Sequence, residues 1–154
     1  MAKVLNLDNI PKEYVDDPNF ESKMKTISLG AAAGSERIYV NVDFVKPGAK
    51  SVKYHAHSRQ EEFFLILAGE GVLRMDDKEI PVKKGDFVAK TAGRGIAHQF
   101  INTGTEILEI LDCGLTEADD VITYPEEGVV FCKKQGFVFK RSDALEHWSS
   151  DPNK

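Results

Sequence analysis

The segment HAHSRQEE, residues 55–62, contains two histidines and two glutamates within eight residues. Residues two apart on a β-strand point to the same face, so His55 and His57 would present two imidazoles side by side. If the chain reverses through residues 58–60, a carboxylate of the next strand would face both rings across about 5 Å. Two imidazoles and a carboxylate that converge in this way are typical of a metal-ion site.

Either Glu61 or Glu62 can supply the carboxylate. Glu61 shares a strand face with Phe63, whereas Glu62 shares the opposite face with Phe64. Because both faces carry apolar residues, the alternation does not show which face points inward. On parity alone, the choice between the two glutamates stays open.

A third imidazole comes from GRGIAHQFIN, residues 93–102, where a glycine-containing loop delivers His98 to the start of another strand. Three histidines would then converge with one glutamate. Two histidines and a carboxylate suit iron, and a third histidine also suits manganese, zinc or nickel. We therefore expect one divalent transition metal ion (Fe, Mn, Zn or Ni) as the cofactor.

The rest of the chain favours β-structure, because its apolar residues alternate with period two or fill short segments between glycine and proline turns. Many short strands at this spacing predict an all-β fold, an antiparallel sandwich, barrel or jelly roll. The predicted strands cover 36–45, 51–57, 61–67, 71–75, 79–82, 86–90, 98–102, 106–111, 129–132 and 137–140.

Composition narrows the class of protein. A chain of 154 residues with 42% hydrophobic and 29% charged residues is typical of one globular domain. The longest apolar run, residues 63–68, falls far short of the roughly 20 residues that span a bilayer. With a net charge of −5 and no secretory signal, we expect a cytoplasmic protein that binds neither nucleic acid nor membrane. Cys113 and Cys132 lack CxxC spacing and are expected to be buried free thiols.

These motifs resemble those of the cupins. The first cupin motif has a glycine, the HxH pair, a glutamate and, after six further residues, a second glycine. That spacing favours Glu62 over Glu61. The second motif opens with Gly-Asp and ends in a glycine, a histidine and an asparagine. The matching residues here are Gly48, His55, His57, Glu62, Gly69, Gly85, Asp86, Gly95, His98 and Asn102.

The resemblance implies a double-stranded β-helix, the jelly-roll cupin barrel, with His55, His57, Glu62 and His98 as its metal ligands. We expect an N-terminal arm and loop at 1–35, a barrel core at 36–115 and a C-terminal extension at 116–154 that packs on the barrel, in one domain overall. The chain is similar to small bacterial single-domain cupins described as sugar-phosphate isomerase-like. Cupins commonly pair across a two-fold axis, so a homodimer is expected.

Two cations are candidates for binding a substrate. Lys53 lies two residues before His55, so a regular strand would place it on the ligand face; the alternative is a salt bridge or a rim position. Arg94 lies in the glycine loop near His98 and would close over an anion, unless it is simply an exposed loop residue. These residues predict a small polar, anionic substrate.

Three functions fit these residues. In an isomerase, the metal would polarise the substrate, and either Lys53 as a catalytic residue or a metal-bound hydroxide would move the proton. In an Fe(II)-dependent dioxygenase, no dedicated protein acid or base is needed. A non-catalytic binder or sensor would bind the small molecule without turnover. The sequence leaves open whether the chain is an enzyme.

Overall fold

The computed structural model describes residues 4–10, 13–14 and 24–147. Within these residues the protein is built from short antiparallel strands and one short α-helix, which agrees with the all-β prediction. The elements are β1 (Glu13–Tyr14), β2 (Met24–Ser28), α1 (Leu29–Ala33), β3 (Ile38–Val45), β4 (Ala56–His57), β5 (Glu62–Ala68), β6 (Glu70–Met75), β7 (Lys78–Lys83), β8 (Phe87–Lys90), β9 (His98–Ile101), β10 (Leu108–Leu115), β11 (Val121–Tyr124), β12 (Val129–Cys132) and β13 (Phe137–Lys140).

The largest sheet has six strands in the order β1-β2-β3-β10-β5-β8. Its central strand, β10, pairs with β3 on one side and with β5 on the other. On β5 the side chains of Phe64 and Ile66 are buried, whereas Phe63 is exposed. Glu62 therefore shares the inward face of this strand, because it is two residues before Phe64.

Two smaller sheets, β7-β6-β9 and β13-β12-β11-β4, face the large one and are linked by the segment that carries the HxH motif. An isolated bridge joins His55 to His98 at the start of β9. Since β4 pairs with β11, this segment lies between the two smaller sheets. The fold thus brings two distant histidine motifs into direct register.

The strand predicted over 51–57 is interrupted, and only Ala56–His57 is regular. Side chains satisfy backbone groups that a continuous ladder would pair. Ser51 Oγ accepts from the Phe100 amide at 3.1 Å, and Gln99 Nε2 donates to the Val52 carbonyl at 2.6 Å. This irregular geometry breaks the period-two alternation before His55.

Part of the predicted N-terminal arm is ordered secondary structure. Residues 24–28 form β2, which pairs antiparallel with β3 and extends the large sheet. The strand was missed because its burial does not alternate strictly: Met24 and Ile27 are the buried positions. Gly30 of α1 lies so close to β3 that an added Cβ would be 2.9 Å from the Val40 nitrogen. The close approach explains a glycine inside this helix.

The barrel interior is apolar at one end and polar at the other. The apolar end is packed by fully buried aliphatic residues of β3 and β10, Val45, Leu108 and Ile110, together with Phe64 and Phe100. This core holds β5 and β9 in place and so fixes the strands that carry the candidate ligands. The polar end contains the histidine motifs.

The C-terminal segment continues the second sheet through β11, β12 and β13. Cys113 and Cys132 are both free thiols, as expected, but each is half-buried and not fully buried. Within the described residues, no helix is long and apolar enough to cross a membrane.

Phe63 of β5 and Phe87 of β8 form an exposed aromatic pair. Phe63, 37% exposed, stacks on Phe87, 71% exposed, with their ring centroids 6.1 Å apart. We expect two chains to pair through this surface, because exposed aromatic pairs are uncommon in monomers. Light scattering at micromolar concentration is expected to give about twice 17.1 kDa, and Phe87→Glu is expected to give a monomer. A monomeric wild-type chain would contradict this prediction.

Candidate metal centre

His55 and His57 lie on the short segment before the turn at residues 58–60, with their Nε2 atoms 3.0 Å apart. The other ring nitrogen of each histidine has an acceptor. His55 Nδ1 lies 2.7 Å from the Lys53 carbonyl oxygen, and His57 Nδ1 lies 2.5 Å from Asp120 Oδ2. In its neutral form, each ring therefore donates its proton from Nδ1 and keeps a lone pair on Nε2.

Two lone pairs that face each other at 3.0 Å repel unless a cation or a proton lies between them. Nitrogen ligands bind metal ions such as Zn²⁺ at about 2.0–2.1 Å, so two ligands in adjacent positions at right angles are about 3 Å apart. The spacing of the His55 and His57 Nε2 atoms fits this requirement. The two Nε2 atoms are therefore well placed to bind one metal ion together, and their lone pairs repel when nothing lies between them.

Glu62 and His98 complete the cluster from two further strands. Glu62 Oε1 is 3.4 Å from His57 Nε2, and Glu62 Oε2 is 3.9 Å from His98 Nε2. Ligand atoms of His55, Glu62 and His98 all lie within 4.8 Å of one another. These three residues could bind a metal ion, and His57 lies beside them as a fourth donor. Glu61 is exposed.

Burial keeps the imidazoles neutral and thus able to ligate. The pKa of His55 is lowered to about 4 by burial, with further contributions from His57 and Lys90. Burial also lowers the pKa of His98 well below its usual value, with help from His55 and Lys90. Both rings are therefore neutral near pH 7, and each keeps a lone pair on one of its nitrogens.

Lys90, which the sequence did not single out, contacts the candidate ligand Glu62. It lies on β8, next to β5, and its side chain is 2% exposed. Its Nζ forms an ion pair with Glu62 Oε2 at 2.7 Å. Burial by itself raises the pKa of Glu62, but the charges of Lys90 and His57 outweigh it, so the pKa is lowered. The carboxylate is therefore ionised and available to a cation.

A cavity of about 410 Å³ opens beside these ligands and is lined by His55, His57, Glu62 and His98. Its wall also contains acidic groups that were not singled out in the sequence, buried Asp43 and half-buried Asp112 and Tyr39. Burial raises the pKa of Asp43 to about 6, against a hydrogen bond from Thr26. Burial and the charges of Asp43 and Glu62 raise the pKa of Asp112 to about 8.

The two cations predicted to bind substrate are not part of this cluster. Lys53 Nζ pairs with Glu127 Oε1 at 2.5 Å, so Lys53 forms a salt bridge, the alternative to a position on the ligand face. Arg94 is exposed in its loop. Neither Lys53 nor Arg94 is among the described residues that line the cavity. Lys133 does line it, and its Nζ donates to Gln60 Oε1 at 3.3 Å.

The choice between the two glutamates leads to a direct test. Glu62→Gln is expected to lower metal affinity strongly, because the buried ionised ligand is replaced by a neutral amide, whereas exposed Glu61→Gln is expected to leave affinity unchanged. Isothermal titration of the metal-free variants with Zn²⁺ measures both. The reverse order of effects would contradict the position assigned to Glu62.

These features define a small jelly-roll barrel with a candidate mononuclear metal site. Residues 42–114 match the cupin domain model, so this part of the chain is a cupin domain. An oxalate-binding protein of Thermotoga maritima is 38% identical over 65 residues, which are 42% of this chain and 52% of that protein. The match therefore spans about half of that relative.

Two crystal structures of small bacterial cupins are similar over most of the chain. A sugar phosphate isomerase of the cupin superfamily from Silicibacter pomeroyi is 26% identical, with a TM-score of 0.81, over 92% of this chain and 95% of that one. A protein of Acidithiobacillus ferrooxidans, assigned provisionally to the sugar phosphate isomerases, is 29% identical, with a TM-score of 0.76, over 82% and 81%.

Proposed function

We propose that this cupin is a mononuclear metal-dependent isomerase that moves a proton within a small anionic hydroxycarbonyl compound, as sugar phosphate isomerases do. The observation that carries the proposal is a pair of carboxyl groups, buried Asp43 and half-buried Asp112, in the wall of the cavity that contains the candidate ligands. Isomerisation needs a group that takes and returns a proton, and a carboxyl with a raised pKa is suited to that task.

The metal ion, held by His55, His57, Glu62 and His98, would polarise the substrate carbonyl as a Lewis acid. The protein then has to provide the proton carrier. The Tyr39 hydroxyl lies 2.9 Å from Asp112 Oδ1 and 3.0 Å from Glu62 Oε1. One hydroxyl proton cannot serve both contacts, so a second proton is needed.

Asp112 is the natural carrier of that second proton. With a pKa of about 8 it is mainly protonated at pH 7, whereas Glu62 is ionised beside Lys90. Asp112 then donates to the Tyr39 oxygen, and Tyr39 donates to Glu62. In this proposal Asp43, whose pKa of about 6 leaves it mainly ionised at pH 7, takes the proton from the substrate carbon. Protonated Asp112 gives its proton to the substrate carbonyl oxygen, and these two roles replace the one predicted for Lys53.

An anionic substrate remains part of the proposal, with a different cation. Lys133 contributes to the cavity lining and pairs there with a neutral amide oxygen, that of Gln60. A phosphate or carboxylate group of the substrate would gain a charge-assisted hydrogen bond from its ammonium group. Imidazoles bind metals in their neutral form, so a divalent ion held with one carboxylate would keep a positive charge and favour an anionic ligand.

A second candidate function is binding without turnover, and a specific observation favours it. The region that matches the oxalate-binding protein of Thermotoga maritima makes binding of a small chelating anion at the same cluster chemically reasonable. Fe(II)-dependent oxygen chemistry is a third candidate, because two histidines and a carboxylate suit ferrous iron.

One experiment separates the three candidates. Metal-loaded protein is incubated in D₂O with aldose and ketose phosphates, and carbon–hydrogen exchange next to the carbonyl is followed by NMR. The proposal predicts interconversion with deuterium incorporation. Absence of exchange for every phosphate tested would contradict it. In that case, oxygen uptake by the iron-loaded protein would indicate a dioxygenase, and a thermal shift with oxalate but no turnover would indicate a binder.

A further inference from the structure

Asp120 is fully buried, although it lies just before β11 in the segment predicted only to pack on the barrel. Its side chain is 0% exposed, and Oδ2 accepts from His57 Nδ1 at 2.5 Å. The other oxygen, Oδ1, accepts from Ser58 Oγ at 3.0 Å and from the Arg59 amide at 2.8 Å. A longer contact of 3.4 Å comes from the Gln60 amide. These donors hold the carboxylate in one orientation.

We propose that Asp120 is a positioning residue of the metal centre, which holds the His57 proton on Nδ1 and so leaves Nε2 free to bind the metal ion. The inference rests on the proposed metal site but not on the proposed reaction. Carboxylate partners of this kind fix the ring orientation and the tautomer of ligating histidines, and they make the ring a stronger donor.

A comparison of the two histidines of the motif shows why this side chain matters. His55 donates to the main-chain carbonyl of Lys53, two residues away, so its tautomer is fixed by the backbone. His57 depends on a side chain 63 residues further along the chain. Of these two ligands, only His57 can therefore lose its tautomer through a single substitution at its partner.

The same region also anchors the strand that carries the ligands. β11 pairs with β4 in the register Ile122 to His57, and the Ser58 amide donates to the Val121 carbonyl at 3.0 Å. The Val121 amide in turn donates to Ser58 Oγ at 2.7 Å. These backbone contacts remain when the Asp120 carboxylate is changed, so the strand stays in place while the tautomer changes.

The substitution Asp120→Asn tests the tautomer directly. The amide oxygen can still accept from Ser58 and Arg59, which turns the NH₂ group toward His57. His57 Nδ1 must then accept, and its proton moves to Nε2. Nitrogen-15 NMR of the metal-free proteins is expected to show a proton on His57 Nδ1 in the wild type and no proton on Nδ1 in the variant.

Titration with Zn²⁺ supplies the second measurement. Asp120→Asn is expected to weaken binding by about 10- to 100-fold, with the melting temperature of the metal-free protein little changed. Asp119→Asn is the matched control, because this neighbouring carboxylate is exposed, paired with Lys134 at 2.8 Å, and expected to have no effect on affinity. Equal affinities of wild type and Asp120→Asn would overturn the inference.

The wild-type spectrum alone also decides the question if the variant fails to fold. A wild-type His57 whose Nδ1 carries no proton would overturn the inference whatever the variant does. The spectrum is independent of turnover, so loss of the proposed isomerase activity would leave this result intact.

Discussion

His98→Ala is expected to abolish tight metal binding and the thermal stabilisation that accompanies it. The imidazole is 3% exposed, and its Nε2 lies 3.9 Å from Glu62 Oε2. Without it, the donor set loses the ligand that β9 contributes. An ion present at 1,000 times its dissociation constant stabilises a fold by about 4 kcal/mol, which for a chain of this size is roughly 10 °C in melting temperature.

Differential scanning calorimetry with and without Zn²⁺ measures this effect. The wild type is expected to melt roughly 10 °C higher with the ion, whereas His98→Ala is expected to show little shift. The matched control is His147→Ala, since this histidine is exposed near the end of the described chain. An equal metal-induced shift in wild type and His98→Ala would show that His98 is not a ligand.

Asp112→Asn is expected to lower kcat by about 100- to 10,000-fold, the usual contribution of a general acid or base. The amide NH₂ group can still donate to the Tyr39 oxygen but cannot exchange a proton. Metal affinity and KM should therefore change little. Steady-state kinetics with the best phosphate substrate from the D₂O experiment provides the measurement.

The pH dependence gives this prediction a second check. Asp112 has a pKa of about 8 in the metal-free protein, so a step that uses its acid form weakens as pH rises through that range. Asp112→Asn should remove this limb of the kcat profile. Asp76→Asn is the control, because Asp76 lies exposed in the turn between β6 and β7, where asparagine also adopts its left-handed conformation. A profile unchanged in Asp112→Asn would contradict the role of this carboxyl.

The central part of the site could be predicted from the sequence because it depends on short-range geometry. Strand alternation places His55 and His57 together, and motif spacing selects Glu62 and His98. In the structure all four side chains contribute to the lining of one cavity. Once motif spacing has selected Glu62, alternation puts Phe64 on the same face, and Phe64 is buried.

The residues around the ligands could not be predicted. They lie on strands, or beside a strand, whose pairing with the ligand-bearing strands the sequence does not define. Lys90 reaches Glu62 from β8, and Asp112 reaches Tyr39 from β10 across to β3. Asp120 reaches His57 from the C-terminal segment. None of these three carries a local motif, and only the pairing of distant strands brings them to the site.

Lys53 is not among the residues that line the cavity, because strand alternation predicts side-chain direction only on a regular strand. Its assignment to the ligand face assumed a regular strand up to His55, but side-chain hydrogen bonds from Ser51 and Gln99 interrupt that strand. The lysine instead pairs with Glu127 in the turn after β11. Parity therefore holds only where the backbone ladder is continuous.

Anomalous diffraction from crystals grown with Zn²⁺, collected at the zinc absorption edge, tests the four-ligand metal site most directly. We expect one strong anomalous peak per chain, within bonding distance of the His55, His57, Glu62 and His98 side chains. A fully occupied peak elsewhere, or no peak at this cluster in crystals that contain the ion, would show that these four residues do not bind the metal ion.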